Sequence, residues 1–182
     1  MIVFLGDCIF EQWDKEVYNH FFSDFAPLNF GMTGYTTRDL IIFLELTALH
    51  GLTPDVIILS IGTHNSDHNY TTTQTLDEII RIIDLLFELT PDSEIILLGI
   101  LPRGSKPEDR RRILNEHVNK KLKVVKFSKP VNYADISYLF LDKYGMIPDD
   151  IMHDGLHLTQ KGYFLLSEAL SGFITAVLPS SS

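Results

Sequence analysis

The sequence predicts an α/β fold: one domain over residues 1–182, a three-layer α/β/α sandwich around a central parallel sheet of about five strands. Two observations predict it. Short aliphatic runs alternate with longer amphipathic segments, the pattern of a parallel sheet covered by helices. Three turns rich in Gly, Asp, Thr and Asn fall just after strand ends, where open α/β sheets bind their ligands. No internal repeat, linker or second domain interrupts the alternation.

The first strand is Ile2-Val3-Phe4-Leu5, followed by Gly6-Asp7-Cys8. Trp13, Tyr18, Phe21, Phe22 and Phe25 then form an aromatic cluster suited to seating the first helix on the sheet. A shorter strand over 27–30 precedes the Gly31–Gly34 turn. A helix over 36–50 carries Leu40, Ile41, Phe43, Leu44 and Leu46, with Gly51 as its stop. Strand 56–61 runs into Gly62-Thr63-His64-Asn65. The next helix begins near Thr75, where Thr75 and Glu78 match a capping box, and it buries Ile79, Ile80, Ile82, Ile83, Leu85 and Leu86. Strand 94–100, a helix over 108–123, a strand over 131–133 and a helix over 160–178 complete the chain. Pro179 and a serine tail end it.

Composition narrows the function. With 45% hydrophobic and 21% charged residues the chain reads as an ordinary globular protein, and its net charge of −9 argues against nucleic acid as a partner. Arg110-Arg111-Arg112 reads as a solvated helix face, and Arg103 and Lys106 as surface charge. A single cysteine permits no intramolecular disulfide. No secretory signal is readable before the first strand, so a cytoplasmic location is expected, and no apolar run is long enough to span a bilayer.

The turns supply the residue types that acyl transfer needs: a nucleophile, a base, an orienter for the base and donors for an oxyanion. Cys8 is the nucleophile candidate, its thiolate stabilised by a helix N-terminus and a histidine cation; the alternative is a small buried hydrophobe. His157 is the base candidate, with Asp154 to fix its tautomer; the alternative is an Asp capping a turn beside an exposed His. Gly62-Thr63-His64-Asn65 reads as an ordinary turn or as part of an oxyanion hole. A metal-dependent hydrolase is a competing class, with His64, Asp67 and His68 facing His153, Asp154 and His157 around a zinc ion.

Five blocks occur in order: Gly6-Asp7-Cys8, Asn29-Phe30-Gly31-Met32-Thr33-Gly34, Gly62-Thr63-His64-Asn65, Leu101-Pro102-Arg103-Gly104 and Asp154-Gly155-Leu156-His157-Leu158-Thr159. Over nearly the whole chain they resemble the SGNH (GDSL-type) hydrolase superfamily, and within it the catalytic subunits of intracellular platelet-activating-factor acetylhydrolase. The resemblance implies a flavodoxin-like sheet and ester hydrolysis with no cofactor or metal, removing acetyl or short acyl groups from a small lipid or carbohydrate ester. It places Cys8 at the nucleophilic serine, Asp154 and His157 as the rest of the triad, and the N–H groups of Cys8 and Gly34 in the oxyanion hole. A side chain from the Gly62 block, His64 or Asn65, completes that hole. It also implies a homodimer.

Three positions depart from the pattern. Cys8 stands for serine, His64 for asparagine and Tyr35 for an aspartate. A chain with these changes is either a cysteine esterase or a silenced relative that binds an acylated ligand. An acyltransferase using the same triad is a third reading.

Overall fold

The structure, a computed structural model, describes residues 1–46 and 49–178. Thr47 and Ala48, inside the expected 36–50 helix, and Pro179 with the serine tail lie outside the described residues. Five strands, β1 (Ile2–Gly6), β2 (Leu28–Gly31), β3 (Val56–Ser60), β4 (Glu94–Leu98) and β5 (Asn132–Ala134), form one sheet in the order β2-β1-β3-β4-β5. Every pairing is parallel. The three-layer α/β sandwich expected from the alternation is therefore present, with the flavodoxin-like strand order.

Alternation along the strands builds two cores. Ile2, Phe4, Val56, Ile58, Ile96 and Leu98 point to one face, where they meet α1 (Cys8–Glu11), α2 (Lys15–Phe22) and α6 (Gln160–Val177). Val3, Leu5, Ile57, Leu59, Ile95 and Leu97 point to the other, against α3 (Thr37–Leu46), α4 (Thr72–Leu89) and α5 (Arg110–Leu122). Because both faces are covered, β1 and β3 are buried at every residue and, Ser60 at the end of β3 apart, carry no polar side chain. The expected aromatic cluster packs as a core: Phe4 meets Phe10, Trp13, Tyr18 and Phe22 with ring centroids 4.9–5.5 Å apart. Trp13 gives its indole N–H to Ser167 on α6 at 3.0 Å, which satisfies its one polar atom inside the core.

Two expectations are corrected here. The capping box of α4 is Thr71 with Gln74, one turn before the expected Thr75 and Glu78. Both pairs fit the spacing; Thr75 is instead buried inside the helix, where its hydroxyl accepts from the Asn65 amide. The arginine run is not a uniformly solvated face. Arg110 is exposed, but Arg112 is 1% exposed and donates to the carbonyls of Arg103, Gly104 and Gly145. A guanidinium offers five donors in a fixed fork, so it can staple loop carbonyls that no helix or strand satisfies.

In this strand order the direction in which strands are added reverses between β1 and β3, and their carboxyl ends open a crevice. The residues that follow β1 and β3 therefore face each other. That topological fact brings Cys8 and His64, 56 residues apart, into contact.

Candidate active site

Gly6 ends β1 where a side chain has no room: a Cβ there would lie 2.0 Å from the Ser60 carbonyl oxygen. The strand can thus approach β3 closely and turn at once into α1. Asp7 caps that helix, accepting the Ile9 N–H at 3.0 Å, and is itself buried. Burial pushes its carboxyl up to about 7, against hydrogen bonds and the Arg103 charge that pull it down. Cys8 follows as the first helical residue.

The helix is a single turn of four residues, so it offers the sulfur little dipole stabilisation. Cys8 is 0% exposed, and burial, with Asp7 adding to it, pushes the thiol up to about 12. The expected ready-made thiolate is therefore absent at rest; Cys8 is a thiol at neutral pH and needs a base. Its sulfur lies 3.2 Å from Nε2 of His64.

His64 sits in a 3-10 turn, Thr63–Asp67, directly after β3. Residues three apart eclipse in such a turn. Asp67, not His68, therefore shares a face with His64, and its carboxylate lies 3.6 Å from Nδ1. The same carboxylate lies 2.6 Å from Arg103, whose guanidinium also donates to the Thr63 carbonyl at 2.7 Å. Arg103, expected as surface charge, is 6% exposed: the Asp67 pairing takes it inside. Desolvation first, then the Arg103 charge, lower the His64 imidazole below its ordinary range, with Asp67 opposing.

Asn65 is held away from this chemistry. Its Nδ2 donates to Thr37 Oγ1 at 2.6 Å and Thr75 Oγ1 at 3.0 Å, and its Oδ1 accepts the Thr37 N–H at 3.0 Å. Both amide hydrogens are used in tying the turn to α3 and α4, which leaves none for a substrate oxygen.

Asp154 and His157 are brought together in the loop before α6. One carboxylate oxygen accepts the N–H groups of Leu156 and His157 at 2.9 and 2.7 Å; the other lies 2.6 Å from His157 Nδ1. Burial raises the Asp154 carboxyl, but the bonds from His157 and Leu156 outweigh it and hold it at about 2. An ionised carboxylate at Nδ1 fixes the proton there and leaves Nε2 free as a base. A bridge between Met152 and Leu158 closes the loop at its base.

Gly155, at φ +71, joins this loop to the Arg103 loop: its carbonyl accepts the Gly104 N–H at 2.8 Å. A Cβ on Gly155 would lie 3.0 Å from Gly104. Arg112 grips the Arg103 and Gly104 carbonyls from behind, so it positions both loops; a buried arginine in a polar helix left no periodic signal by which to find it. Gly34 occupies an open turn at φ +79, where its N–H has no acceptor among the described residues.

Among the described residues no three His, Cys, Asp or Glu side chains gather closely enough to hold a metal ion. His64 meets Cys8 and Asp67 instead, and His157 meets Asp154, so the competing zinc arrangement does not form among the described residues. No helix among the described residues is long and apolar enough to cross a membrane.

Residues 4–165 match the GDSL-like lipase/acylhydrolase family. The alpha2 subunit of platelet-activating factor acetylhydrolase IB from Homo sapiens is 35% identical over 97% of this chain and 77% of its own length. The alpha1 subunit from Rattus norvegicus is 30% identical over 97% and 76%. A GDSL-like lipase from Bacteroides thetaiotaomicron superposes with a TM-score of 0.83 at 18% identity, over 97% of this chain and 88% of that one. A lipase/acylhydrolase from Enterococcus faecalis gives 0.79 at 21%, over 100% and 98%. These last two likenesses speak for the fold, and the match over residues 4–165 for the lineage: the chain belongs to the GDSL-like lipase/acylhydrolase family, as an esterase of the SGNH type.

Proposed function

We propose that the protein hydrolyses acetyl or short acyl esters of a small lipid or carbohydrate through an acyl-enzyme on Cys8, with His157 as general base and Asp154 orienting it. The observation that carries this reading is the Asp154 clamp: a carboxylate held at about 2 and set 2.6 Å from Nδ1 leaves Nε2 of His157 as a base fixed in tautomer and direction. Cys8 stands at the carboxyl end of β1, next to the strand-order reversal where such sheets bind ligands. The N–H groups of Cys8 and Gly34 are the oxyanion donors, with the His64 imidazole in place of the family's asparagine. Acetyl is the preferred acyl group because relatives at 30–35% identity are acetylhydrolase subunits. A cytoplasmic homodimer is part of the same reading, testable by fractionation and gel filtration.

A second reading has its own support. Cys8 is wholly buried, with its thiol at about 12, so a substrate carbonyl reaches the sulfur only after a neighbour gives way. A chain that never opens would be a silenced relative that binds an acylated ligand without turning it over.

Intact-mass spectrometry after brief exposure to p-nitrophenyl acetate separates the two. The esterase gives one acetyl adduct on Cys8, absent in Cys8→Ala, with matching p-nitrophenol release. A site that never opens gives neither adduct nor release, in Cys8→Ser as in the unsubstituted chain. An acyltransferase gives the adduct but passes the acetyl group to an added alcohol in preference to water.

A further inference from the structure

We propose that His64, oriented by Asp67, takes the Cys8 proton, so that the two histidines of the site divide the reaction: His64 serves acylation and His157 serves deacylation. The proposal deepens the esterase reading and rests on it for the substrate.

Geometry carries it. The sulfur's hydrogen-bonding partner among the described residues is Nε2 of His64, at 3.2 Å, while the His157 ring makes its contact with Asp154. On the far side of the His64 ring the Asp67 carboxylate faces Nδ1 at 3.6 Å. A carboxylate there favours the Nδ1–H tautomer and leaves the Nε2 lone pair for the thiol. Sulfur, imidazole and carboxylate thus form a second nucleophile–base–orienter line, on elements that fold packing fixes: α1 and the 3-10 turn after β3.

The charged and titratable groups facing His64 come from four places. They are Cys8 on α1, Asp67 on its own turn, Arg103 on the loop after β4, and His157 on the loop before α6. Desolvation and Arg103 keep the imidazole neutral near pH 7, which is the form that accepts a proton. Asp7, next to Cys8, acts on the thiol rather than on the ring.

The proton balance closes. The Cys8 S–H bond breaks and an N–H bond forms on His64 Nε2, while the sulfur pair forms the S–C bond and the carbonyl pair moves to oxygen. The new Nε2–H is a donor, so the residue that began as acceptor can then serve the oxyanion. On collapse the ester C–O bond breaks and the alkoxide takes the proton from His64. Water then attacks the acyl group and gives its proton to His157. The C–S bond breaks, and that proton returns to sulfur to regenerate the thiol.

The test is the rate of Cys8 alkylation by iodoacetamide between pH 5 and 9, followed by intact mass in the full chain, His64→Asn, Asp67→Asn and His157→Gln. The unsubstituted chain should show a step whose midpoint lies below about 6.5, the ordinary imidazole value. His64→Asn should lose the step and react about 10²-fold more slowly at pH 7. Asp67→Asn should keep the step at a lower midpoint. His157→Gln should lose ester turnover yet keep the step. Retention of the step in His64→Asn, or its loss in His157→Gln, overturns the proposal.

Nitrogen-15 spectra of His64 in the unsubstituted chain give a readout that no misfolded variant can confuse. The Nδ1–H tautomer is expected, and Nε2–H would contradict it. A His64-dependent step in a chain that releases no p-nitrophenol supports the proton transfer while removing the esterase reading.

Discussion

Two histidine–aspartate pairs stand at this site, each with its partners three residues apart, and they are built differently. Asp154 gives one oxygen to two backbone N–H groups and the other to His157 at 2.6 Å, in a half-exposed loop. Asp67 lies 3.6 Å from His64 and is shared with Arg103, in a turn that buries the ring against Cys8. The first pair is tight and open to solvent; the second is looser and close to the sulfur. A loop carboxylate can collect backbone N–H groups and imidazole together because the loop is free to wrap around it. A 3-10 turn fixes only the side-chain direction, so the carboxylate finds its strongest partner outside the turn.

The largest consequence falls on the tight pair. His157→Gln should reduce kcat for p-nitrophenyl acetate by about 10²–10⁴-fold, the usual worth of a positioned general base. Asp154→Asn keeps an oxygen for the two N–H groups but loses the charge at Nδ1, and a loss of about 10²-fold is expected in steady-state assays. The pair also has a signature in acid. The Asp154 carboxyl is at about 2 in the folded chain against about 3.8 unfolded, so its contribution to stability is complete above about 3.8 and lost as pH falls through 2. Acid unfolding of Asp154→Asn should lack that component.

The buried side of the site shows the opposite sign. Asp7, at about 7 when folded, favours the folded state below its unfolded value near 3.8, and that preference is lost as pH rises through 7. Asp7→Asn can still cap α1, so it should match the unsubstituted chain near pH 4 and exceed it at pH 8, by a few kcal/mol at most. Urea melts at the two pH values check this. Asn65→Ala should cost about 1–3 kcal/mol in the same melts, because it strands the Thr37 N–H in a buried place. The smallest effect is expected for Arg103→Met. With Asp67 no longer shared and the Arg103 charge gone, the His64 midpoint should rise in an NMR titration.

Much of this was legible in the sequence. Apolar runs at β1, β3 and β4 and the turns that follow them gave the layers and the edge where the site lies. The Asp-x-x-His spacing pointed to the Asp154–His157 pair because both partners lie in one loop. Contacts across the fold were not legible. That Arg103 pairs inward with Asp67, and that Arg112 staples two loops, depends on carbonyls and carboxylates meeting from segments far apart in sequence. The Thr75–Glu78 spacing misled for the reverse reason: two matching patterns lay one turn apart, and burial of Thr75 against Asn65 selected the earlier one. His64 was readable as a departure from the family's asparagine, but its distance to the sulfur was not.

The central claim is that the looser pair starts the reaction and the tighter one finishes it. Rapid mixing of His157→Gln with p-nitrophenyl acetate tests it most directly, with the adduct read by mass. The division of labour predicts a burst of about one p-nitrophenol per chain and a stalled acetyl group on Cys8. No burst and an unmodified Cys8, in a variant that folds and in which the unsubstituted chain turns over, would show that His157 is needed to activate the thiol and would contradict it.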